Sequence, residues 1–335
     1  MNLSKFKLIS LFFFFLFLSF FPFPAFAQSN SFVSIVNPVR GEDFWQEKNQ
    51  SPLIAVEGQM KILQKFNLPA TWLIRFDALS NQKITDLLKT SSDGEMGLFL
   101  EITPTWAGEA GVIYHEKQNW HDAGSAFLTG YERIEREKLI DSAFSKFNEV
   151  FGFYPTSVGA WWIDSYSLNY MQKKYAVSVA LIVADQYTTD NYQIWGQYFG
   201  VPYYPSKSNT LHPASSEEDK LPVVVVQWAA RDPVNGYGGG VMQSTFSVQA
   251  NDYLDYHSLD TKYFASLVDI YTKQQFNRFG YLVVGLENSY SWEKYGKEYE
   301  NQITVLADKQ KNKEFRIVSL KDFSSWVGLP AAATL

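Results

Sequence analysis

Apolar runs of strand length, alternating with segments of helical periodicity, restrict this chain more than anything else in it. Val158 to Ile163 and Val177 to Ala184 are each apolar on successive residues rather than on alternate ones. That pattern belongs to strands covered on both faces, as in a parallel sheet. Between them Asp164 and Ser165 are helix-starting residues, and Leu168, Met171 and Tyr175 follow at helical spacing. Two parallel strands joined by one helix form a right-handed unit. Asp164 follows the first strand and Asp185 the second, at the C-terminal edge where barrel and open α/β enzymes carry their chemistry.

The same alternation runs through the chain. Strands are predicted at Phe32–Val36, Ala70–Phe76, Met96–Ile102, Val223–Trp228, Tyr281–Leu286 and Phe315–Leu320. Helices are predicted at Ser51–Phe66, Ile84–Lys89, Tyr131–Phe151, Ser258–Phe276, Ser291–Leu306 and Lys321–Trp326, with Thr129-x-x-Glu132 as a capping box. No repeat and no interior linker interrupts the series. The expectation is an α/β protein: a single, distorted β/α barrel of seven or eight parallel strands, with long loops at its C-terminal rim. Thr103–Gly130 and Thr188–Lys220 are two of those loops, and loops of that length are commonly functional.

Residues 1–27 are read as a signal peptide and 28–335 as the barrel. Lys5 and Lys7 precede the apolar run Leu8 to Phe26, and Ala25-Phe26-Ala27 is a small-x-small cleavage site ahead of Gln28. Cleavage after Ala27 would release a secreted or periplasmic protein with no stable membrane span; an uncleaved anchor is the alternative. The chain has no cysteine, which excludes disulfides, thiolate metal ligands and a cysteine nucleophile. Net charge is −6, and −8 without Lys5 and Lys7, and no basic cluster offsets it, so nucleic acid is not an expected partner.

Several phrases resemble the polysaccharide-deacetylase branch of the glycoside hydrolase/deacetylase barrel superfamily. Lys61 to Trp72, KILQKFNLPATW, is similar to that branch's opening helix-to-strand passage, and Phe151 to Pro155 followed by Ser165 to Tyr175 is similar to its central strand and helix. The resemblance implies a metal site of one aspartate and two histidines. Its residues are missing from the matching positions. Val36 and Asn37 stand where a Thr-Phe-Asp-Asp-Gly motif would place its acids, Phe99 to Thr103 holds no histidine, and Gly159 to Trp162 holds no arginine. The usual zinc-dependent deacetylation is therefore not expected, and neither a metal nor another cofactor is assigned.

What the predicted strand ends do offer is carboxylates: Glu101, Asp164, Asp185 and Glu287, with Asp77 and Asp43 as weaker candidates. Glycoside cleavage needs a pair, one acid with a raised pKa and one nucleophile or base. Glu287 is the expected nucleophile or base, with Asn288 orienting it; Glu101 is the expected acid, its pKa raised by burial among Leu and Phe. Asp164 equally suits a helix N-cap. Trp45, Trp106, Trp161, Trp162, Trp195 and Trp292, with Trp120, fall near strand ends or in connecting loops and would line a saccharide cleft, although each alone also suits a core. His115 and His121 lack metalloprotease spacing, though a relocated metal site with Glu101 and Asp164 stays open. The functional expectation is an exported hydrolase acting on a poly- or oligosaccharide through rim carboxylates. A non-catalytic glycan-binding barrel and a deacetylase with relocated ligands are the alternatives.

Overall fold

The computed structural model describes residues 31–91, 93–116, 122–183, 185–186, 192–193, 201–228, 230–235, 245–273 and 280–326. Its strands are β1 (Phe32–Val39), β2 (Ala70–Arg75), β3 (Gly94–Phe99), β4 (Ser157–Ala160), β5 (Val179–Val183), β6 (Asp185–Gln186), β7 (Tyr192–Gln193), β8 (Val224–Trp228), β9 (Tyr281–Val284) and β10 (Arg316–Ile317). All but β6 and β7, which pair antiparallel with each other, build one parallel array. Its order is β8-β5-β4-β3-β2-β1-β9. β9 pairs with Phe32–Ile35 of β1, and β10 takes the opposite edge at Phe32–Val33 before β2 succeeds it at Val36–Val39. β8 and β9 come together without a ladder among the described residues, so the ring is nearly closed. The expected α/β barrel is the observed fold.

Local rules explain most element boundaries. The Pro52–Phe66 helix opens with proline in its first turn and closes on Asn67 in the left-handed region, φ 51°. The Arg133–Phe151 helix opens on a capping box formed by Glu132 and Glu135, so Glu132 rather than Thr129 is the cap. A helix at Ala250–His257 precedes the Thr261–Thr272 helix, where the sequence pattern suggests a single helix from Ser258. Ser258, with φ 53°, turns the chain between them. Among the described residues no helix is long and apolar enough to cross a membrane.

The parallel register sets the layers of the interior. Arg75, Phe99, Gly159, Leu181 and Val226 are successive partners across β2, β3, β4, β5 and β8. Paired residues share a face and the face repeats every second residue. Trp228, two residues beyond Val226 at the end of β8, lies in the next layer toward the C-terminal rim. Glu101 and Trp161 follow β3 and β4 at the same step, joined there by the Trp161 Nε1–Glu101 bond. Below, toward the floor, lie Thr71, Glu95 and Ser157. The barrel is thus a packed core with polar groups at both ends, the usual condition of this architecture.

Candidate functional site

At the C-terminal mouth the chain builds a buried network of ion pairs around Arg40. β1 runs to Val39, three residues beyond its predicted end, so Arg40 rather than Val36 or Asn37 reaches the mouth. Its guanidinium donates to Glu101 through Nε (3.2 Å) and Nη2 (2.7 Å), and through Nη1 to Glu287 and to Ser289 Oγ (3.0 Å). Arg75 donates to the other side of Glu101 and holds Asp77 by two bonds, 2.7 and 2.8 Å. Trp161 Nε1 donates to Glu101 Oε2 at 2.9 Å. All five charged groups are buried. Two guanidiniums face three carboxylates, so the network carries a net negative charge.

The backbone holds the network in place. Asn288, fully buried, accepts from Arg40 N at 2.7 Å and donates to the carbonyls of Arg40 and Pro52, each at 2.9 Å. It clamps the main chain of Arg40 and does not bond to Glu287. Gly41 lets β1 approach the turn after β2: a Cβ there would lie 2.6 Å from Asp77 Oδ2 and 2.7 Å from Ala78 N. Only glycine fits without displacing that backbone.

Electrostatics reverses the expectation for Glu101. Burial pushes its pKa up, but Arg40 and Arg75 outweigh burial and hold it down at about 2. A carboxyl in that state is no proton donor at neutral pH. Burial also opposes the charge of Arg40 and of Arg75, and the carboxylates beside them overcome it and raise both pKa values. Glu287 is tied through one oxygen: Oε2 accepts from Arg40 and Ser289, while Oε1 accepts no hydrogen bond from any described residue.

The remaining expected residues divide between mouth and scaffold. Asp164 caps the Ser165–Tyr175 helix, accepting from Ser167 N (2.9 Å) and Ser167 Oγ (2.7 Å), and pairs with Arg136 at 3.2 Å. Both of its oxygens are thus engaged by the cap and by Arg136. Only the backbone of Asp185 lies within the described residues, paired with Gln193. Asp77 is locked to Arg75, and Asp43 accepts from Thr105 Oγ1 at 2.9 Å. Trp106 is fully buried, stacked on Phe76, with Nε1 donating to Leu139 O; it is core and cannot wall a cleft. Trp292 packs between two helices, against Gly58, Gly296 and Tyr299, and is also scaffold. Trp45 ties its own loop, donating to the carbonyls of Glu47 and Gln50. Trp161 stands at the mouth, and Trp162 beside it is half-buried. Trp120, Trp195 and His121 lie outside the described residues.

Sequence reasoning missed the two arginines because pairing between strands distant in sequence leaves no local pattern. It also missed Trp228, read only as the end of a strand, although the alternation along β8 was available to place it. Phe44 and Tyr114 were missed as well. Phe44 is 39% exposed and held at φ 59°, and its ring tilts over Tyr114 at 6.3 Å. Burial and the Glu101 charge raise the Tyr114 pKa, which puts that ring beside the network. Aromatic faces of this kind pack against the C–H faces of sugar rings.

The residues present do not fit a deacetylase-type metal. Asn37 leaves the interior and bonds to Tyr299, and a cation at the mouth would meet the Arg40 guanidinium. His115 Nδ1 lies 3.2 Å from the Gly124 carbonyl and its ring stacks on Tyr131. Among the described residues no three His, Asp or Glu side chains converge as a metal site, and the relocated set of Glu101, His115 and Asp164 is dispersed among other partners.

Comparison with known proteins agrees with this architecture. A protein from Parabacteroides distasonis, provisionally named a glycoside hydrolase/deacetylase, superposes with a TM-score of 0.60 at 16% identity over 89% of this chain and 71% of its own. A Pseudomonas aeruginosa PAO1 protein, provisionally named a polysaccharide deacetylase, gives 0.52 at 11% identity over 89% and 91%. A Mycobacterium smegmatis protein of the same provisional name gives 0.51 at 11% over 90% and 91%. At these identities the likeness establishes the fold. No curated protein sequence matches the chain. A family described as a domain of unknown function with a solved structure, DUF3863, matches residues 114–328. The chain belongs to the DUF3863 family, carried on the barrel that polysaccharide-deacetylase-like proteins share.

Proposed function

We propose that the mouth of this barrel binds a poly- or oligosaccharide and that Glu287, the ion-paired carboxylate with one oxygen left open, acts there as a hydroxyl acceptor. One observation carries the reading: Arg40 joins Glu101 and Glu287, the two expected catalytic acids, into one unit. Glycoside cleavage needs one protonated carboxyl, and Glu101 is held ionised by two guanidiniums. Arg40 and Ser289 fix Glu287 through Oε2, so its open Oε1 is an acceptor of set direction, which suits hydroxyl recognition. Phe44 and Tyr114 offer ring faces beside it. The neighbours' provisional names, glycoside hydrolase/deacetylase and polysaccharide deacetylase, support a carbohydrate ligand. The N-terminal run and its Ala25-Phe26-Ala27 site support export with cleavage after Ala27.

A second reading keeps hydrolysis, and the open Oε1 of Glu287 favours it, because a carboxylate with one free oxygen can act as nucleophile or base. Incubation with a polysaccharide panel separates the two. Saccharide binding without new reducing ends or released acetate is the expected result. Product formation that Glu287→Gln abolishes would overturn the binding reading in favour of hydrolysis.

A further inference from the structure

The barrel mouth holds a second polar group that the ion-pair network does not use. Trp228 is the last residue of β8, in register with Val183 and one step beyond the Leu181–Val226 pair. By the alternation of strand side chains it faces the interior in the same layer as Glu101 and Trp161. That facing is confirmed independently for two members of the layer, since Trp161 Nε1 bonds to Glu101 across it. Trp228 is 3% exposed, and its Nε1–H has no hydrogen-bond partner among the described residues. Buried indole N–H groups normally find an acceptor. Beyond the unladdered side of β8 stands β9, followed by Glu287, whose Oε1 has no donor among the described residues.

We propose that Trp228 Nε1 and Glu287 Oε1 are the two poles of a hydroxyl-reading subsite. This rests on the reading of the mouth as a saccharide site and names the class of saccharide. One ligand hydroxyl accepts from the indole and donates to the carboxylate, completing both groups. A ligand carboxylate cannot donate and is repelled by Glu287 in a network that is already net negative. A ligand ammonium has no lone pair for the indole and also meets the Arg40 guanidinium. A neutral hydroxyl satisfies both poles. The subsite therefore selects neutral, hydroxyl-rich saccharides over uronic acids and over sugars bearing free amines.

Calorimetric titration tests this with neutral hexasaccharides (cello-, xylo-, manno- and N-acetylchito-), with hexagalacturonate and with the glucosamine hexamer. At least one neutral probe should bind about tenfold tighter than either charged one. Trp228→Phe, which keeps the ring and removes the donor, should weaken that binding about tenfold without lowering the thermal midpoint. In protein labelled with nitrogen-15 at the indoles, the one indole resonance missing from Trp228→Phe should move when the neutral probe binds to wild type. Equal binding by wild type and Trp228→Phe, an unmoved resonance, or tighter binding of a charged probe overturns the subsite while leaving the saccharide reading intact. Binding of none of the probes overturns the saccharide reading itself, and the subsite falls with it.

Discussion

Replacing Glu101 by glutamine tests the electrostatic argument at its centre. Glu101 is fully buried between two guanidiniums, and its pKa falls from the ordinary 4.5 to about 2. That displacement corresponds to about 3 kcal/mol of stability held by the ionised form. An independent route gives the same scale, because removing one partner from a buried ion pair costs roughly 3–5 kcal/mol. The folded pKa is depressed, so the contribution is complete above 4.5 and is lost as pH falls through about 2. Glu101→Gln should thus lose about 3 kcal/mol at pH 7, and the gap to wild type should shrink to about half of that at pH 3. For a domain of this size the first figure lowers the melting temperature by roughly 6 °C. Denaturant titration of both proteins at the two pH values reads it directly. A loss under about 1 kcal/mol at pH 7, or a gap independent of pH, would refute the view that Glu101 is an ionised structural centre.

Other substitutions probe the same frame. Arg40→Met strands Glu101 and Glu287 without their shared cation; it should cost about 3–5 kcal/mol at pH 7 and recover as pH falls and the carboxylates protonate, measured by the same titrations. Asp164→Ala should lose about 1 kcal/mol through the missing cap, with saccharide affinity unchanged by calorimetry. Gly41→Ala drives a Cβ against Asp77 and the Ala78 amide, and thermal melting should show a loss of about 1–3 kcal/mol.

Much of the scaffold is legible in the sequence because it follows from near-neighbour rules. Continuous apolar runs such as Val177–Ala184 mark covered parallel strands, Asn67 closes a helix, and Asp164 opens one. The candidate site is legible only in part. Glu101 and Glu287 are found at the mouth because strand ends are where acids collect, yet the direction of the Glu101 pKa is misread. Its apolar sequence neighbours suggest desolvation, whereas its partners in space are Arg40 and Arg75. Trp106 fails as a cleft residue for a similar reason: a loop indole in sequence becomes a core indole once Phe76 and the helix carrying Leu139 close over it.

The sequence by itself determined the class of fold, the order of its elements and the end of the barrel where acids gather, since periodicity and capping act over a few residues. Only the tertiary structure decided what those acids are. Charges from β1, β2, β3 and the turn after β9 meet at one rim, and Coulomb interaction in a buried site depends on distance through space rather than along the chain. The same closure put Trp228 into the layer of Glu101, because the register that links β8 to β3 through β5 and β4 exists only in the folded barrel.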